Sequence, residues 1–181
     1  MPKPIELDTQ RLRLRQWQPK DRAPFAELNA DPEVMKYFPT TLDRATSDAM
    51  ADRCQSLIAE RGWGLWAVEL KSDGQFIGFV GLNIPTNELP FSPCVEISWR
   101  LANAFWGQGY ATEAAKHVLQ VGFEQLELPE IVAFTTIANQ RSRAVMEKLG
   151  MTRTPDDFEH PALAEGHPLR KHCLYRIASK P

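Results

Sequence analysis

The sequence predicts a single mixed α+β domain, on three observations. The chain has 181 residues, enough for one sizeable hydrophobic core and too few for two comfortable ones. Segments with an apolar period of two alternate with segments of helical period. In the second half they follow one another as strand, loop, helix, strand and helix. The expected domain spans 1–181, with its core between 9 and 177.

Thr9 to Trp17 sets Leu12 and Leu14 against Arg11, Arg13 and Arg15, the pattern of a half-buried strand. Pro19 to Ala30 reads as a helix with proline in its first turn. A shorter turn through Val34, Met35 and Phe38 follows, then a long helix from Asp43 to Arg61, stopped at Gly62. Strands over 65–70 and 76–84 flank Lys71-Ser72-Asp73-Gly74, a hairpin signal. The proline-containing stretch 85–93 is a loop. In the strand 95–101, Val95, Ile97, Trp99 and Leu101 face one way, and Glu96, Ser98 and Arg100 the other. A helix is expected from Gly109 to Glu127, a strand over 131–136, a helix over 140–149 and a closing strand over 171–177. The segment 154–168 reads as irregular.

Hydrophobic residues make up 43% and charged residues 24% of the chain, as in ordinary globular proteins. A formal net charge of -2 without a basic run argues against nucleic acid as partner. The opening Met1 to Glu6 has no apolar run of the secretory kind, and no stretch approaches the ~18 apolar residues of a membrane span. Three cysteines, widely spaced and without a CxxC pair, predict neither zinc nor a redox centre. A reduced cytoplasmic protein with no membrane partner is the expectation, monomer or homodimer.

The turn after Leu101 carries the chemistry. Amides at a helix start have no internal partner, and the helix dipole adds positive potential there. Gly107 and Gly109 let the backbone approach a ligand closely. No acidic side chain lies between Leu101 and Thr112, and no basic one either, so the backbone itself must hold an anion such as pyrophosphate. Neither a Walker loop nor a dinucleotide fingerprint fits this spacing. Taken alone, the glycine pair is equally consistent with a tight turn that binds nothing.

Trp106-Gly107-Gln108-Gly109-Tyr110-Ala111-Thr112-Glu113-Ala114 resembles the acyl-CoA loop of the GNAT N-acetyltransferase superfamily. Within it, the chain resembles the branch of ribosomal-protein N-terminal acetyltransferases (RimJ/RimL-like). Asn139 to Met151 is similar to the second family motif, and Thr9 to Arg15 to the opening of this branch. The resemblance implies a mostly antiparallel sheet splayed between the strands 95–101 and 131–136, with acetyl-CoA as co-substrate in the opening. It implies pantetheine contact at the Leu101 backbone and at Asn139, and pyrophosphate contact along Trp106, Gly107, Gln108, Gly109, Tyr110, Ala111 and Thr112. The loop departs from the superfamily in opening on Trp106 rather than Gln or Arg. Where many members place a proton-donating Tyr, this chain has Met146.

Two side chains are candidates for catalysis. Glu96, on the polar side of its strand, suits a base that takes the proton of an ammonium acceptor through water; it also reads as a solvated or cross-strand-paired carboxylate. With this role, Glu96→Gln is expected to lower kcat/KM most at low pH. Ser142 is either an exposed serine or the donor facing the thiol in place of Met146. Asn139 is a favoured helix cap as well as a cofactor contact. His160, His167, His172 and Cys173 match no zinc spacing, and His160 is placed at the acceptor cleft. Trp63, Trp66 and Trp99 read as core. Tyr37 and Phe38 read as core or acceptor pocket. The expected function is transfer of acetyl to a primary amine, of a protein N-terminus or a small molecule, by direct attack. A non-catalytic acyl-CoA sensor of the same fold is the rival, and a nucleotide-binding module is weaker.

Overall fold

The computed structural model describes residues 1–181. The strand expected over 9–17 is shorter, β2 (Leu12–Arg15), and an unexpected β1 (Leu7–Asp8) precedes it, paired antiparallel with Leu7 opposite Leu14. The chain reverses between them because Thr9 Oγ1 accepts the Leu12 N–H at 3.0 Å and the Thr9 N–H bonds the Leu12 carbonyl at 2.9 Å. Such local bonding offers the backbone a turn in place of a ladder. Leu12 and Leu14 are fully buried, and Arg15 is buried too. Its guanidinium forks onto Asp21 at 2.8 and 2.9 Å and bonds Glu69 at 2.8 Å, which meets the condition for burying a charge.

Instead of one continuous helix from Pro19, a 3-10 turn (Pro19–Asp21) precedes α1 (Arg22–Ala30). Asp21 turns inward to Arg15 and accepts the Gln18 N–H at 2.8 Å, which breaks the regular ladder. Helix α2 (Arg44–Arg61) starts where Asp43 accepts the Thr46 N–H and ends at Gly62, with φ of 86°. The hairpin β3 (Leu65–Leu70) and β4 (Phe76–Asn83) follows, then β5 (Glu96–Leu101), α3 (Tyr110–Glu124), β6 (Glu130–Thr136) and α4 (Gln140–Lys148). Helix α3 stops short of Glu127, whose φ of 51° lies outside the helical region. The segment expected to be irregular holds β8 (Phe158–Glu159). It lies beyond β7 (Thr152–Arg153), and both pair with β9 (Lys171–Ala178). Two-residue strands are too short to leave a periodic trace.

The sheet runs β1-β2-β3-β4-β5-β6-β9-β7, with β8 also on β9. Every pair is antiparallel except β5 and β6, which are parallel and meet where Glu96 faces Val132. There the Val132 N–H bonds the Val95 carbonyl at 3.0 Å. Beyond that point no ladder joins the two strands, and the sheet opens as a V. Phe79 of β4 packs on Phe25 of α1, whereas Leu82 lies against Gly122 of α3. Alternation along β4 therefore puts α1 and α3 on opposite faces. The interior holds two hydrophobic clusters. The main core gathers around residues such as Trp66, Phe25 and Ile58, and a small separate one joins Leu89, Val132, Phe158 and Leu174. No helix is long and apolar enough to cross a membrane.

Candidate active site

Register along β5 decides what faces the opening. Asn83, Gly81 and Phe79 of β4 stand opposite Glu96, Ser98 and Arg100, so these three share the face covered by α1, as their alternation in the sequence predicts. The Ala102 N–H bonds Ile77 O at 2.9 Å across β4. In an antiparallel ladder the intervening residue then turns its backbone groups the other way. Leu101, and Trp99 two residues before it, therefore present main-chain groups to the gap between β5 and β6. The Leu101 carbonyl accepts the Trp106 indole N–H at 2.9 Å, which fixes the start of the glycine loop to the end of the strand. A cleft of about 900 Å³ occupies the V. Glu96, Arg100 and Leu101 line it from β5, and Ser142 and Met146 from α4 with Asn139 at its cap; Phe38, which packs on Arg100, and His160, beside His172, line it too.

The loop at the cleft mouth has the geometry of an anion site. Gly107 and Gly109 adopt φ of 74° and 80°, values that side chains resist, and Gly109 is the residue from which α3 starts. The first amide of this region bonded within the chain is that of Glu113, to Gly109 O at 3.0 Å. The amides from Gly107 to Thr112 have no such partner. Of the expected cofactor loop, Trp106 and Ala111 line the cleft itself, whereas Gly107, Gln108, Gly109, Tyr110 and Thr112 do not. The sequence leaves this loop without cations; the fold supplies two. Arg11 stacks over the Tyr110 ring at 4.4 Å and Arg141 over Trp106 at 3.9 Å. Glu113 holds Arg11 in place, accepting from its Nε at 2.7 Å and its backbone N–H at 3.0 Å, and from Thr9 Oγ1 at 2.5 Å. Burial opposes ionisation of Glu113, yet those bonds outweigh it and lower its pKa.

The proposed acid and base sit on opposite walls. Burial pushes the Glu96 carboxyl up to about 8, against a smaller opposing effect of its hydrogen bond with Asn83. Asn139 caps α4: its side-chain oxygen accepts the Ser142 N–H at 3.3 Å, and its Nδ2 donates to Thr135 Oγ1 at 3.0 Å and Ser142 Oγ at 3.1 Å. Since Ser142 Oγ accepts that bond, its own proton is free for the cleft. Met146 is buried in the same wall. His160 and His172 lie 5.0 Å apart by ring centroids and both line the cleft, whereas His167 does not. Burial lowers the pKa of both, so at neutral pH they are uncharged walls. Trp66 is fully buried core, while Trp99 borders the cleft.

Arg100 is the site residue that alternation alone did not single out. Its Nη1 donates to Asn29 Oδ1 at 2.8 Å, and its guanidinium lies 4.5 Å from the Phe38 ring and 5.3 Å from that of Phe79. Burial lowers its pKa to about 10. The partners come from distant segments, and nothing local in Ser98-Trp99-Arg100 announces them. For Arg11 a signal did exist: Glu113, an acid in the first turn of a helix expected to hold an anion, calls for a neutralising partner.

Comparison with known proteins agrees with this geometry. The sequence pattern of the acetyltransferase (GNAT) domain matches residues 11–152. YkkB of Bacillus subtilis, an uncharacterised protein, is 34% identical over 81% of this chain and 84% of its own. An Aspergillus fumigatus FsC-acetyl coenzyme A-N(2)-transacetylase is 34% identical over 77% of this chain and 64% of its own. The crystal structure of an acetyltransferase from Agrobacterium tumefaciens superposes with a TM-score of 0.77 at 26% identity, covering 99% of this chain and 97% of that one. RimL, a ribosomal L7/L12 α-N-protein acetyltransferase in complex with coenzyme A, gives 0.75 at 15% identity, with 96% and 98% covered. The chain belongs to the GNAT acetyltransferase family.

Proposed function

We propose that this protein transfers acetyl from acetyl-CoA to a primary amine, by direct attack within a ternary complex. The observation that carries the reading is one cleft joining unpaired loop amides at its mouth to a carboxyl of raised pKa at its apex. The loop amides from Gly107 to Thr112, with Arg11 and Arg141 beside them, suit the phosphates of CoA. The open backbone edge at Leu101 and Trp99 suits the amide-bearing pantetheine arm, which can bond a strand edge as another strand would. Acetyl-CoA supplies a thioester, an activated acyl group that an uncharged amine attacks without further activation.

An acceptor amine arrives as ammonium and must lose a proton before its lone pair can form the new C–N bond. Glu96, once ionised, takes that proton directly or through water. As the tetrahedral intermediate collapses and the C–S bond breaks, negative charge grows on sulfur. The Ser142 hydroxyl, aligned by Asn139, donates a hydrogen bond to it. No cysteine lies in the loop or in the Asn139–Met151 motif, which favours direct attack over an acyl-enzyme. The continuous sheet from Leu7 to Ala178 supports one acetyltransferase domain spanning the chain. The test is a thiol-release assay with acetyl-CoA over a panel of peptides and small amines. Amine-dependent release supports the reading; CoA binding with no turnover on any amine would leave a sensor instead.

A further inference from the structure

Arg100 is a cation without an anion. Its Nε is buried and has no hydrogen-bond partner. The one opposite charge that could act on it is the Cys54 thiolate, and burial raises that thiol to about 11, so it is neutral. Glu96, at about 8, is mostly uncharged at neutral pH as well. A half-buried guanidinium whose Nε is closed off without a partner costs stability, and a chain keeps such a group where something else completes it. Two aromatic faces and Asn29 fix the plane of this one, with Nη1 occupied and the Nε edge left over. A planar fork held in this way suits the two oxygens of a carboxylate.

Position assigns that carboxylate to the acceptor. Arg100 shares its strand face with Glu96, and both line the cleft. By formal charge, Glu96 aside, the cleft is lined by Lys36, Arg100 and Arg141 against Glu33. Arg141 stacks on Trp106 at the loop, so Lys36 and Arg100 mark the opposite side as cationic, in a chain whose net charge is -2. We propose that the acceptor is an amine that also bears a carboxylate, which Arg100 binds while the amine is presented to the thioester. The inference rests on the acetyltransferase reading and narrows its substrate class. Residues 96 and 100 are about 13 Å apart along the strand, so a carboxylate several bonds from the amine fits better than one adjacent to it.

The test compares ω-amino acids from glycine to 6-aminohexanoate with the matching ω-amino amides, which keep the amine and lose the charge. A second arm uses peptides with Glu or Gln at the second position, to tell a small acceptor from an acidic N-terminus. The wild type should prefer the acid of the best pair by roughly ten- to a hundredfold in kcat/KM, the range for a charge-assisted hydrogen bond. Arg100→Met, which keeps the apolar stem between Phe38 and Phe79, should abolish the preference and leave acetyl-CoA affinity unchanged; Arg100→Lys should restore part of it. Calorimetric titration of the N-acetylated acids and amides into the protein, with and without CoA, reads carboxylate recognition without turnover. Acids and amides that behave alike in both readouts overturn the proposal. Binding of the acids that depends on Arg100, with no transfer to any amine, would instead uphold the carboxylate site and refute the acetyltransferase reading.

Discussion

At Glu96 the chemistry turns on where the carboxyl titrates. In the unfolded chain it ionises near the ordinary value of 4.5, and in the fold near 8. Below about pH 6 it is protonated in the native state and can accept nothing. The sequence-based expectation that Glu96→Gln would hurt most at low pH is therefore reversed. The ratio of wild-type to variant kcat/KM should be near one at pH 6 and grow through pH 8, to roughly a hundredfold or more by the usual range for such catalysts. A ratio independent of pH would remove Glu96 as the base. Stability carries the same sign: between 4.5 and 8 the folded state binds the extra proton, so the Glu96 contribution is fully present below 4.5 and lost as pH rises through 8. Thermal melts of the variant should lack that decline. Ser142→Ala is the complementary experiment, because Asn139 keeps its Thr135 bond and the helix keeps its cap. It should lower kcat roughly ten- to a thousandfold while acetyl-CoA affinity stays nearly intact. Lost affinity with normal turnover of bound cofactor would make Ser142 a cofactor contact.

Among the elements, the loop before α3 makes the sharpest claim. A side chain at Gly109 meets positive φ, costing about 1–2 kcal/mol whatever its size, and its Cβ lies 3.5 Å from the Arg11 guanidinium. Gly109→Ala and Gly109→Val share that backbone strain and differ in bulk. Melting temperatures should fall for both, while the acetyl-CoA dissociation constant should rise much further for Val. If calorimetry gave wild-type affinity for Val, the loop assignment would be wrong. Much of this element was legible from local chemistry: the glycines, the unpaired helix start and the preceding alternation all lie within a few residues. The same holds for α2, bracketed by Asp43 and Gly62, and for α4 behind Asn139. What was not legible depends on distant segments meeting. Glu113 called for a cation, but that Arg11 supplies it depends on the β1–β2 turn meeting α3, and Arg100 finds its partners on α1 and in the turn before α2. Strands β7 and β8 exist only because β9 offers an edge.

For the whole molecule, the V is both the site and the weak seam. Strands β5 and β6 meet at Glu96 and Val132 and separate beyond, so the half carrying α1, α2 and β1–β5 joins the half carrying β6 and β9 through α3, α4, the packing of Leu89 and Phe91 on Val132, Phe134 and Phe158, and that short contact. A ligand that occupies the opening touches both halves at once and should stabilise the fold by mass action. At a hundred times its dissociation constant the gain is about 2.7 kcal/mol, and a chain of this size responds by roughly 2–4 °C per kcal/mol. Acetyl-CoA and CoA should therefore raise the melting temperature by roughly 5–10 °C, whereas ATP and NAD at equal concentration should not. Amide hydrogen exchange locates the effect: protection should increase along β5 from Trp99 to Leu101, at the amides from Gly107 to Thr112 and at the start of α4, and little in α2. Equal shifts with ATP would make the loop a general nucleotide site. A CoA-dependent shift with protection confined to α1 and α2 would place the cofactor outside the V.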